Sequence, residues 1–237
     1  MPVVAVLAGL LFATTEVTAA GTDLRAGRRL ALADLIGQRQ RDIALLNETA
    51  ARVRAEVESA TAQEAAGNQD VLAQRQASAA LAAASGLNPI TGSGLRVSLN
   101  DSSRHVGDPL PPGVPAPTPD DLVVHQQDVQ AVVNALWAGG ATGMTIMGQR
   151  VISTSAVRCV GNTLLLHGVV YSPPFVVAAT GNPADLRTAL DAAPGVQLFR
   201  QYVDTYSLGY SVNQLNSLTL PGYTGTLELE HAKALGP

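Results

Sequence analysis

The sequence predicts an α+β fold, ferredoxin-like or a related mixed sheet with helices on one face, preceded by an N-terminal transmembrane segment and a long coiled-coil helix. Three observations lead there. Met1 to Thr15 carries no charge and no polar face. Apolar residues then recur at helical heptad spacing as far as Ala60. Beyond Gly94, alternating and amphipathic segments follow in the order strand, helix, several strands, helix, strand, the signature of an α+β layer fold. The segments divide as 1–21 anchor, 22–66 stalk helix, 67–93 second helix and linker, and 94–237 globular domain.

Composition narrows the function. Apolar residues make up 46% of the chain and aromatics only 4%, so Ala, Val and Leu must build the core, which suits helices and a Val-rich sheet. The net charge is −4 and no Lys/Arg-rich run occurs, which excludes the basic face that nucleic acid requires. With one cysteine, Cys159, neither a disulfide nor a cysteine-based zinc site can form within one chain.

The first segment places Val3, Val4, Val6, Leu7, Leu10, Leu11 and Phe12 all round a helix axis. Continued through Val17 to Gly21, it approaches the roughly 20 residues that cross a bilayer. The rival reading is a cleavable signal peptide, since Val17-Thr18-Ala19 has a small-residue cleavage pattern, although no basic region precedes it. The expectation is a single-pass membrane protein with most of its chain outside the cytoplasm. Orientation is at odds with the positive-inside rule, because Arg25, Arg28 and Arg29 follow the span.

In the stalk, Ile36, Ile43, Leu46, Ala50, Val53, Val57 and Ala60 form a seam at spacings of three and four, flanked by Arg and Glu. That pattern predicts self-association as a parallel coiled coil through Ile36, Ile43, Leu46, Val53 and Val57. The alternative is that the same stripe packs on the globular domain of its own chain. Gly67-Asn68 interrupts the helix, Val71 to Ala84 resumes it, and Leu87 to Gly94 reads as linker.

In the globular part, Leu95 to Leu99 alternates as a half-buried strand does. The Pro- and Gly-dense stretch 106–119 reads as an exposed loop. A helix is expected from Asp120 or Asp121 to Gly139, burying Val129, Val132 and Leu136. Runs 144–147, 150–152, 163–167 and 175–180 read as strands. Asn182 caps a second helix with Pro183 at its first position, running to Ala192. Runs 196–202 and 207–212 read as the closing strands.

The segments Gly94-Leu95-Arg96-Val97-Ser98-Leu99-Asn100-Asp101, His125 through Trp137, and Gly148 through Gly161, followed by Tyr171-Ser172-Pro173-Pro174-Phe175 and Leu220-Pro221-Gly222-Tyr223, carry a family resemblance. The chain resembles the "division initiation protein" family of Gram-positive bacteria, a domain of unknown function 881, over nearly everything after Gly21. The resemblance implies a single-pass membrane protein with a basic cytoplasmic tail, a coiled-coil stalk and an extracytoplasmic domain. It also implies a role in the cell envelope or division, and no catalytic activity. This chain departs from the pattern in having no basic tail before its apolar segment.

The strongest candidate site is the polar run Gln149, Arg150, Ser153, Thr154, Ser155 and Arg158, whose two guanidiniums and several hydroxyls can grip a carboxylate or phosphate. Asp101 and Asp128 are counted with this candidate ligand-binding set; the alternative is that its groups satisfy neighbouring turns and these two carboxylates. Ser153, Ser155 and Cys159 have no evident base, so nucleophilic catalysis ranks last. Asp128 and His125 stand at i, i+3, a contact distance that also fits an ordinary surface pair. The four histidines show no paired metal-ligand spacing, and no nucleotide-binding glycine fingerprint occurs, so no metal or cofactor is expected. Trp137 is expected as a core anchor rather than a stacking platform for sugar or peptide. The composite expectation is a non-enzymatic scaffold or interaction module of the envelope, whose partners would be the membrane, a second copy of itself and envelope or division proteins. A sensor for a small anionic ligand is the alternative.

Overall fold

The computed structural model describes residues 24–160 and 162–225, with side chains from residue 34 onward. The expected anchor, 1–21, lies outside the described residues. Among those described, no helix is long and apolar enough to cross a membrane. The chain divides into two compact units, Met1–Glu56 and Val57–Pro237.

Helix α1 (Leu24–Ala65) is a continuous 42-residue helix. No proline interrupts it, and at about 1.5 Å per residue it is roughly 63 Å long. The expected seam is open along it: Ile36 is 47% exposed, Leu46 68%, Val53 48% and Val57 59%, with Ile43 half-buried. Helix α2 (Gln69–Ala84) starts where the Asn68 side chain accepts from the Asp70 and Val71 amides at 3.0 and 3.4 Å. It ends at Ser85, after which Gly86 adopts a φ of 75°. Arg75 of α2 forms an ion pair with Glu58 of α1.

The globular part is a mixed α+β structure. Strands β1 (Ile90–Asn100), β2 (Gly143–Ile146), β3 (Gln149–Val151), β7 (Phe175–Thr180) and β8 (Gly209–Leu220) form a five-stranded sheet in the order β3-β2-β7-β1-β8. Every neighbouring pair is antiparallel. Val97 stands opposite Val177 on one side and Val212 on the other. Strands β4 (Val157–Val160), β5 (Thr163–Leu166) and β6 (Val169–Tyr171) form a separate three-stranded antiparallel sheet, inserted in sequence between β3 and β7.

Period-two alternation sends Leu95, Val97 and Leu99 of β1 into the core, while Arg96 is exposed on the other face. Helices α3 (Gln126–Ala138), α4 (Pro183–Ala192) and α5 (Pro194–Tyr206) contribute Val129, Val132, Leu136, Leu186, Leu190, Val196 and Phe199 to the same core. The small sheet adds Leu164 and Leu166. Ala178, Leu218 and Leu220, with Ile90 packed on them, form a second, separate cluster.

Several expectations need correction. The first helix of the domain does not start at Asp120 or Asp121. Pro119–Leu122 is a short 3-10 turn, and α3 begins at Gln126 after His125. Residues 196–202 are not a strand but part of helix α5, because Val196, Phe199, Val203 and Tyr206 repeat at three and four and face the core. The stretch read as linker is strand from Ile90 onward, and β8 extends to Leu220 rather than Val212. Strands β4 and β6 were not expected.

Candidate functional site

The fold disperses the polar run. Arg150, on edge strand β3, is only 7% exposed, and its Nη1 donates to the carbonyls of Asn88 and Pro221 at 3.3 and 3.2 Å. Gly86 and Gly143 line the guanidinium, since a Cβ on either would stand 3.3 or 3.0 Å from Nη2. Burial pushes the guanidinium pKa down. Arg150 Nε is buried without a hydrogen-bond partner among the described residues. Such a cation ties two chain segments to the sheet and presents little surface to a ligand.

The other members go elsewhere. Gln149 Nε2 donates to the Tyr171 hydroxyl at 3.1 Å. Ser153 and Thr154 are exposed on the turn after β3, and Arg158 is exposed on the small sheet opposite Leu165. Asp101 and Asp128 pair with neither arginine. Asp101 Oδ1 accepts the Val124 amide at 2.9 Å, and Asp128 Oδ2 accepts the His125 amide at 2.8 Å as the reciprocal half of a helix cap. The expected His125–Asp128 contact is made at 3.8 Å between Nδ1 and Oδ2. Burial raises the Asp128 pKa, opposed by its bond from the His125 amide and by the His125 charge. The two-arginine anion grip read from the sequence is therefore not assembled: Arg150 is spent on carbonyls and Arg158 lies on a different sheet.

What the fold builds instead is a groove of about 320 Å³ between α3 and the chain from β3 to β4. One wall is a face of α3, with Gln126, Gln130 and Asn134 at spacing four and Val129, Val133 and Trp137 beside them. The other is Ile146, Val151, Ile152 and Val157, with Ser153 and Ser155 at its lip. No charged side chain lines it. Trp137 is 42% exposed here, so it is not the core anchor expected. The sequence does hold a signal for this wall: an amide row on the helix face beside the Val stripe.

Two groups at the border bear on chemistry. Ser155 Oγ accepts the Ile152 amide at 3.0 Å and stands 3.2 Å from His167 Nε2. No sequence signal marks this base, because the pairing of β4 with β5 is what brings the two residues together. His167 has a φ of 50° and meets Tyr223 edge-on with ring centroids 5.3 Å apart; burial lowers its pKa. The Cys159 amide donates to Gln126 Oε1 at 3.2 Å, and burial followed by the Asp128 charge pushes the Cys159 thiol up, away from the thiolate a nucleophile needs. No group of three or more His, Cys, Asp or Glu side chains among the described residues is placed to hold a metal ion.

Comparison with known proteins gives a coherent answer on kinship. Residues 77–233 match the family described as "Bacterial protein of unknown function (DUF881)". The "UPF0749 protein Rv1823" of Mycobacterium tuberculosis (strain ATCC 25618 / H37Rv) is 31% identical over 159 residues, covering 66% of this chain and 50% of that protein. The "UPF0749 protein YlxW" of Bacillus subtilis (strain 168) is 32% identical over 107 residues, covering 45% of this chain and 43% of that protein. The chain thus spans about half the length of the curated relatives it matches. A crystal structure of an uncharacterized conserved protein from Mycobacterium tuberculosis aligns with a TM-score of 0.48 at 22% identity, over 66% of this chain and 98% of that one.

Proposed function

We propose that this chain, which belongs to the DUF881 family of bacterial proteins, is a non-enzymatic, membrane-anchored envelope protein that works as a scaffold or interaction module linked to cell division or cell-wall processes. In this reading the apolar 1–21 segment is the anchor, α1 is a self-associating stalk and the α+β domain is the recognition head. The strand order β8-β1-β7-β2, with helices following β1 and β7, supports a ferredoxin-like head extended by β3 and interrupted by the small sheet.

One observation carries the reading: the open apolar seam of α1. A helix this long, with Ile36, Leu46, Val53 and Val57 and also Leu35 and Leu45 each about half or more exposed, leaves unburied apolar side chains that a parallel partner helix would cover. Helices in proteins derive most of their stability from packing an apolar face against a partner. A second copy supplies an identical stripe in register, which makes the coiled coil the economical solution.

Flotation of vesicles mixed with the full chain, compared with the same chain lacking residues 1–21, tests the anchor. The full chain should float and the shortened one should sediment. Recovery of the full chain, with Met1 intact, wholly in the vesicle-free fraction would overturn the anchor.

A further inference from the structure

We infer that the groove between α3 and the β3–β4 chain is a binding site for a neutral oligosaccharide, with Trp137 as the stacking platform. The inference stands independently of the stalk and anchor. The fold leaves the Trp137 ring partly outside. Trp137 sits on a helix otherwise well packed against α4, α5 and β7, yet 42% of it faces the groove and solvent. A tryptophan forgoes burial of part of its 150–250 Å² there, and that area is available to a ligand.

The chemistry around the ring selects the ligand class. The amides of Gln130 and Asn134 project from neighbouring turns of α3 and, like the Ser153 hydroxyl, are exposed with no hydrogen-bond partner among the described residues. Amides and hydroxyls both donate and accept, as vicinal sugar hydroxyls do. Charge is absent from the lining, so a carboxylate, phosphate or ammonium entering the groove would lose hydration without gaining a counter-charge. A pyranose offers an apolar C–H face for the indole and a ring of hydroxyls for the amides. The groove volume lies at the lower end of the 300–1,000 Å³ common for small-molecule sites, which suits one or two sugar rings with the remainder of a chain running out of the open end. An extended peptide fits less well, because it binds chiefly through a backbone ladder and the adjoining edge strand β3 is only three residues long.

Trp137 is the only tryptophan in the chain, so its fluorescence reports on this site alone. The experiment titrates the full chain, in a detergent without a sugar headgroup, with chitotriose and separately with maltotriose. At least one should produce a saturable change in Trp137 emission. The Gln130→Ala/Asn134→Ala double variant, which keeps the fluorophore, should bind roughly tenfold more weakly, as the loss of two hydrogen bonds implies. Trp137→Ala should abolish the binding heat in calorimetry while its circular dichroism stays that of the parent. The inference is overturned by no saturable response to either sugar up to its solubility limit, by a response that the double variant leaves unchanged, or by saturation with an uncharged Ser/Val hexapeptide in place of the sugars.

Discussion

Arg150 donates from Nη1 to the carbonyl of Pro221 at 3.2 Å, and the same nitrogen reaches Asn88 at 3.3 Å. One buried cation on the β3 edge thereby fastens the chain entering β1 to the chain leaving β8. Replacing Arg150 with Met removes both charge-assisted bonds and should lower the unfolding free energy by about 1.5–3 kcal/mol, the range for hydrogen bonds to charged groups. Urea denaturation followed by circular dichroism measures it. A loss below about 0.5 kcal/mol would show that the guanidinium is dispensable to the fold.

Asp128 caps the start of helix α3, accepting the His125 amide at 2.8 Å. Asp128→Asn keeps the size of the side chain but removes the charge, and the pH dependence of stability should change in a defined direction. Burial raises the folded pKa of Asp128 above its ordinary 3.8, so the folded state binds the proton more tightly than the unfolded one. The penalty for its charge is fully present above the folded pKa and is relieved as pH falls through that value towards 3.8. Relative to Asp128→Asn, the parent should therefore gain stability on acidification through that window. A relative loss there would refute the assignment.

His167 titrates with the opposite consequence. Burial lowers its folded pKa below 6.5, so its contribution to stability is complete above 6.5 and is lost as pH falls through the folded value. Thermal melts between pH 7.5 and pH 5 should show a decline in the parent that His167→Gln lacks. An equal decline in both would place the acid sensitivity elsewhere.

Trp137→Ala should cost less than about 2 kcal/mol, against the 3–5 kcal/mol typical of truncating a fully buried aromatic residue, because the ring is 42% exposed. Equilibrium unfolding gives the number. A cost in the buried range would mean that the indole holds the core together rather than lining the groove.

Gly139, at the end of α3, lets that helix approach α4. A Cβ there would stand 2.9 Å from the Ala189 Cβ and 3.0 Å from the Leu186 Cα. Gly139→Val should destabilise the domain by about 1–3 kcal/mol through overpacking. A variant with the parent's melting temperature would show that the two helices can separate freely.

Much of the head was legible because local signals and tertiary demands agree. Leu95 to Leu99 alternates and is a strand; Asn182-Pro183 signals a helix start, and the Asn182 side chain does cap it, accepting the Ala184 amide at 3.0 Å. Where signals conflict, the reading fails. Val196, Phe199 and Tyr202 favour a strand by composition, but Pro194 and the three-and-four repeat through Tyr206 place a helix there. Strands β4 and β6 were missed although β2, β3 and β5 are as short and were read, so length alone does not separate them. The candidate site was the least legible part. Arg150 and Arg158 are eight positions apart, yet strand pairing assigns them to different sheets, and the groove joins side chains whose proximity only the packing of α3 on the sheet creates.

The stalk is the feature on which the functional account rests, and its oligomeric state is the direct test. Sedimentation equilibrium of the full chain should give twice the monomer mass, and Leu46→Lys combined with Val53→Lys should return it to one. Twice the monomer mass retained in that charged variant, or a parent chain that sediments as a monomer at every concentration, would contradict a seam that binds a second copy.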